Sequence, residues 1–145
     1  MNYDDLSEGD SLPTRTIENI RREDTKLMAA ILQDPYPPHF DHERCDELDF
    51  PGLLHQGPAN LSYVLQAVSE TLESPADVRS IDVRYQEMVF ADQTVHAEAV
   101  VEEKRIDGDD GVVTFSVELK TAADDIVMAG TVDATVPRTD EASIE

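Results

Sequence analysis

The stretch Gly57-Pro58-Ala59-Asn60-Leu61-Ser62-Tyr63-Val64-Leu65-Gln66-Ala67-Val68-Ser69-Glu70-Thr71-Leu72 decides the fold of this chain. Leu61, Val64, Leu65, Val68 and Leu72 recur at the spacing of one helix face, which predicts a long helix with a continuous apolar stripe. Pro58 suits the first helical position, where its missing N–H is not needed, and Ser74-Pro75 ends the run. Such a stripe needs an apolar surface to cover it.

That surface follows downstream, where the period switches to two. Ile81, Val83 and Tyr85 alternate with polar residues. So do Val95, Ala97, Ala99 and Val101, then Val113, Phe115, Val117 and Leu119, then Ile126, Met128, Gly130 and Val132. Four half-buried strands are predicted. Asp107-Gly108-Asp109-Asp110-Gly111 joins the second and third as a hairpin, Ala123-Asp124-Asp125 makes the next turn, and Pro137 stops the last strand. Thr14 to Ile20 adds a short first strand. The sum is an α+β fold, an antiparallel sheet wrapped around a long central helix. Its open edges invite pairing with a second copy, so a homodimer is expected.

Upstream of the central helix, Leu27, Met28, Ile31 and Leu32 predict a helix from Arg22 to about Leu32, with Glu23 and Asp24 at the end its dipole favours. Pro35, Pro37 and Pro38 forbid its continuation and push Asp34, Tyr36 and Pro37 toward extended backbone. Asp34 and His39 therefore flank a stiff turn. A short helix from about Asp41 to Leu48, capped by Asp41, follows, and Gly52 to Gln56 form a loop into the central helix. A carboxylate and an imidazole beside a rigid turn can move a proton. A glycine opening a helix can offer its N–H to an oxyanion.

The chain has 145 residues, which suits one domain. Residues 1–12 read as a loosely docked acidic lead-in, residues 13–137 as the domain and residues 138–145 as an acidic tail. With 32 Asp and Glu against 11 Lys and Arg, the formal net charge is −21, a field that repels nucleic acid. The acids interleave with periodic apolar residues, so they decorate a folded surface, and we read them as adaptation to a halophile's salty cytoplasm. No apolar run approaches a membrane span, and the N-terminus lacks the pattern of a signal peptide, so a cytoplasmic protein is expected. The single cysteine, Cys45, cannot form an internal disulfide and reads as an ordinary buried residue.

The order strand, helix, Asp-x-Asn-Pro-x-His, short helix, His-Gly, long helix, meander resembles that of the MaoC-like hotdog dehydratases, also called (R)-specific enoyl-CoA hydratases. The likeness extends from Gly9-Asp10 through Arg84-Tyr85 and Phe90-Ala91-Asp92 to Thr135-Val136-Pro137. It implies a hotdog fold and a hydro-lyase acting on a 2-enoyl thioester. Asp34 and His39 would be the catalytic pair, Gly57 the backbone oxyanion donor, and Ser62 a supporting hydroxyl. Coenzyme A or a carrier arm would be part of the substrate, with no metal or redox cofactor, and Arg84 is a candidate for its phosphates. Three positions depart from the pattern: Tyr36 stands for asparagine, Gln56 precedes Gly57 with His55 displaced by one residue, and Pro58 removes one N–H. The alternatives are a hotdog thioesterase, disfavoured because Gln56 to Ser69 contains no acid, and a non-catalytic acyl-binding or partner subunit of a heteromeric dehydratase. His39, Asp41 and His42 lack the second ligand cluster of a zinc site, and Asp107 to Gly111 lacks the glutamate of a calcium loop.

Overall fold

A computed structural model describes residues 1–139. Its five strands, β1 (Arg15–Ile17), β2 (Val78–Tyr85), β3 (Val95–Asp107), β4 (Asp110–Thr121) and β5 (Ile126–Val136), form one antiparallel sheet in the order β1-β3-β4-β5-β2. Three helices, α1 (Arg22–Leu32), α2 (His42–Glu47) and α3 (Gly57–Ser69), precede the long strands. α3 lies against β1, β3 and β4 as the central helix of a hotdog fold.

The α3 stripe packs as its spacing requires. Val64, Ala67 and Val68 are fully covered, and Leu61, Leu65 and Leu72 pack around them. They meet Val95, Ala97, Ala99 and Val101 of β3 and Val113, Phe115, Val117 and Leu119 of β4, all buried. The hairpin between these strands closes on Gly108, whose φ of +63° at the first loop position suits a type II′ turn. In β5 the expected alternation slips. A bulge where Lys120 pairs with Ile126 and Leu119 with Met128 leaves one extra residue, so Val127 joins Met128 inside while Ile126 is partly exposed. On β2, at the sheet's edge, Ile81 and Tyr85 stay exposed.

Two N-terminal features differ from the sequence expectation. Residues 1–12 are docked: Tyr3 is buried with its N–H on the Pro137 carbonyl, and Gly9, Asp10 and Leu12 bond to Val101 and Ala99. The reason is that β1 pairs with only three residues of the longer β3, leaving backbone beyond them free to bond the lead-in. The first strand is accordingly shorter than Thr14 to Ile20. On α1 the buried residues are Thr25 and Ala29, while Leu27, Ile31 and Leu32 face outward. The tail expected for residues 138–145 lies mostly outside the described residues.

Most ion pairs, such as Arg22–Asp92 and Arg44–Glu47, are exposed, so they leave the excess negative charge largely unrelieved. Screening that repulsion predicts a melting temperature that rises through a KCl series, by roughly 3 °C for each kcal/mol relieved. A melting point that is flat or falls between low and molar KCl contradicts salt adaptation.

Candidate active site

The C-terminus of α1 sets the position of Asp34. Gln33 adopts a left-handed conformation, with φ 51°, and the Asp34 N–H bonds back to the Ala29 carbonyl at 2.9 Å. Asp34 Oδ1 then accepts the Tyr36 N–H at 3.1 Å, a local turn that aims its other oxygen inward. Tyr36 is extended as expected, but Pro37, expected to be extended too, opens a single 3-10 turn with Pro38 and His39, because proline's fixed φ also fits a first helical turn. Pro38 is braced twice: its carbonyl accepts the Leu54 N–H and the thiol of buried Cys45. Burial raises the pKa of that thiol, so Cys45 is a structural residue rather than a nucleophile.

His39 is 6% exposed and held from both sides. Its Nδ1 lies 2.6 Å from the Leu54 carbonyl, and a carbonyl can only accept, so Nδ1 carries a proton. Its Nε2 lies 3.0 Å from Asp34 Oδ2. A neutral ring with that tautomer would set a lone pair against the carboxylate's, so the contact requires a proton between the two groups. The Tyr36 ring stands edge-on to the imidazole, its centroid 5.5 Å away. Asp34, with 36% of its side chain exposed, is the open member of the pair.

Leu54 also connects the pair to α3, which begins three residues later at Gly57. As the first helical residue, Gly57 has no intrahelical acceptor for its N–H, and the helix dipole adds positive potential there. The Tyr85 hydroxyl donates to the Gly57 carbonyl at 3.1 Å. Pro58 leaves this end with one donor fewer. Just beside it, Gln56 Oε1 and Asn60 Oδ1 are buried without a hydrogen-bond partner among the described residues.

The structure brings Asp34 and His39 together but not Ser62 with them. The Ser62 hydroxyl donates to the Ala59 carbonyl at 2.6 Å and lines a separate cavity between α1 and α3. His55 is hydrogen-bonded to neither member of the pair. Its Nδ1 meets Thr25 Oγ1 at 2.8 Å and its Nε2 meets the Tyr63 hydroxyl at 2.7 Å. Gln56 completes this clamp by donating from Nε2 to the Thr25 carbonyl at 2.9 Å. Thr25 and Tyr63 gave no sequence signal, since a threonine on α1 and a tyrosine on α3 have no motif that pairs them. Among the described residues, no group of three His, Cys, Asp or Glu side chains is placed to hold a metal.

Burial lowers the His55 pKa from 6.5 to about 4, so the ring is neutral at pH 7. Between those values the unfolded chain binds more protons than the folded one, and stability falls as pH drops through the window. The loss attributable to His55 is up to about 3 kcal/mol. Urea unfolding at fixed KCl from pH 7 to 4 should show the wild type losing more stability than His55→Gln. Parallel curves would contradict this assignment.

The chain belongs to the MaoC-like domain family: the family's model, described as MaoC like domain, matches residues 7–123. No curated protein matches. Among solved structures, the unliganded R-hydratase PhaJ1 from Pseudomonas aeruginosa is similar with a TM-score of 0.83 at 21% identity, over 95% of this chain and 86% of that one. The monoamine oxidase regulatory protein from Archaeoglobus fulgius has a TM-score of 0.78 at 26% identity, over 96% and 95%. The ChsH1-ChsH2 complex from Mycobacterium tuberculosis has a TM-score of 0.75 at 16% identity, over 90% and 98%.

Proposed function

We propose that this MaoC-like protein is a hydro-lyase that adds water reversibly across the double bond of a 2-enoyl thioester. The observation that carries the reading is the 3.0 Å contact of His39 Nε2 with Asp34 Oδ2, its proton inventory set by Leu54. In the hydration direction the pair takes a proton from water, whose oxygen adds to the β-carbon. A proton returned from the pair reaches the α-carbon, so the balance is one water added. Negative charge building on the thioester oxygen is met by the Gly57 N–H at the α3 N-terminus. Arg84, which has no ion-pair partner among the described residues, offers a cation to the phosphates of coenzyme A. A homodimer joined along β2 covers Ile81 and Tyr85, and the enzyme works in a salt-rich cytoplasm.

Crotonyl-CoA in molar KCl tests the reading with two readouts. Loss of the enoyl absorbance without release of free thiol is the expected result. Thiol release indicates a thioesterase. Inertness of the folded protein toward all chain lengths indicates a partner subunit, a reading favoured by Tyr36 in the motif and by the similarity to a two-protein complex.

A further inference from the structure

Helix α1 ends just before Asp34, yet it has little buried surface to hold it in place. Leu27 and Ile31 are 58% and 64% exposed, and the buried residues of the helix are Thr25 and Ala29. Backbone contacts fix the chain on either side of it: the Ile20 N–H bonds to the Gln93 carbonyl, and the Pro38 carbonyl takes the Leu54 N–H. Neither contact sets the rotation of α1 about its own axis. That rotation governs Asp34, because Ala29, one turn beyond Thr25, accepts the Asp34 N–H at 2.9 Å.

Thr25 is fully buried and is gripped twice. Its side-chain Oγ1 lies 2.8 Å from His55 Nδ1, and its carbonyl accepts from Gln56 Nε2 at 2.9 Å. His55 is fixed in turn by its N–H on the Val89 carbonyl and by the Tyr63 hydroxyl at its Nε2. Both ring nitrogens meet hydroxyls, which give or take a proton, so either neutral tautomer is held. The grip comes from the same segment that sets the rest of the site: Leu54, before His55, holds His39 Nδ1, and Gly57 follows Gln56. Hydrogen bonds are directional where apolar contacts can slide, so this segment sets the angle at which α1 sits as well as its distance.

We propose that Thr25 is a positioning residue, which through His55 and Gln56 fixes α1 so that Asp34 stays within proton-transfer reach of His39. The proposal rests on the acid–base reading of that pair and adds to it a residue outside the pair.

Crotonyl-CoA hydration in molar KCl is compared for the wild type, Thr25→Val, Thr25→Ser and Gln56→Met, each well below its melting temperature. Thr25→Val keeps the shape of the side chain and removes the hydroxyl. It should lower kcat by about tenfold to a hundredfold, the cost of a misplacement on the order of 1 Å, with KM within about threefold of wild type. Thr25→Ser should recover most of the rate, and Gln56→Met should repeat the loss through the other contact. Val117→Ala, in the sheet core, is the control: it should melt earlier at unchanged kcat. In the Asp34→Asn background, Thr25→Val should cost less than about threefold, since a residue that acts through Asp34 then has nothing left to position. The His39 ring gives a readout apart from activity. Its Nε2 magnetic resonance signal, assigned with His39→Ala, should move in Thr25→Val in the direction that Asp34→Asn moves it. Wild-type kcat in Thr25→Val, a Thr25→Ser as slow as Thr25→Val, an equal kcat loss in Val117→Ala, the same loss with and without the Asp34 carboxylate, or a His39 signal that stays in place overturns the proposal. If the wild type does not hydrate crotonyl-CoA, the hydratase reading fails by itself and the His39 signal decides this one.

Discussion

Asp34→Asn and His39→Ala should each lower crotonyl-CoA hydration by about 10²–10⁴-fold, the range for losing a positioned acid or base. The asparagine keeps the size of Asp34 and can still meet His39, but its amide does not exchange a proton with the ring at neutral pH. The alanine removes the imidazole that bridges Leu54 and Asp34. Because Asp34 is partly open to solvent, Asp34→Asn should leave the melting temperature close to that of the wild type. His39→Ala should also unfold more readily, since it empties a buried position. Kinetics of the pair of variants checks both statements, and activity within threefold of wild type in Asp34→Asn would remove the carboxylate from the mechanism.

Gly130→Val should be the most damaging single change to the sheet. A Cβ at position 130 would run into the backbone of Asp82 and Val83 on β2, and backbone has nowhere to retreat without breaking the β2–β5 pairing. Overpacking of this kind costs about 1–3 kcal/mol, and occasionally more. The consequence reaches the site, because β2 ends at Tyr85, whose hydroxyl holds the Gly57 carbonyl. The variant should therefore lose stability in urea and hydratase activity together. Unchanged unfolding would mean that β2 does not pack on β5 as described.

The large architecture was legible because periodicity is a long-range signal carried by many residues. Leu61 to Leu72 and the alternating strands each repeat their message several times, so a local irregularity such as the bulge at Val127 does not hide it. The Asp34 and His39 contact was legible for another reason: proline leaves the five-residue gap few conformations, so the two ends can be placed near each other from sequence. The clamp of Thr25, His55, Gln56 and Tyr63 depends on single hydrogen bonds between elements, with no repeated pattern behind it. Ser62 is ambiguous in the same way, since a serine on α3 reads alike whether its face meets the pair or the α1 cavity it lines. The outward turn of Leu27, Ile31 and Leu32 was hidden because an apolar helix face looks the same in sequence on either side of a helix. Residues 1–12 lack any period because their apolar anchors Met1, Tyr3, Leu6 and Leu12 are irregularly spaced and the rest of the docking is by backbone bonds, which do not depend on side-chain type.

The most direct measurement is the hydration rate of crotonyl-CoA by the wild type, Asp34→Asn, His39→Ala and the double variant under one set of conditions. Two groups that share one proton act as a unit, so the double variant should be about as slow as the slower single variant. Losses that multiply in the double variant, or a wild type that does not hydrate the thioester, would contradict a coupled Asp34–His39 hydratase site.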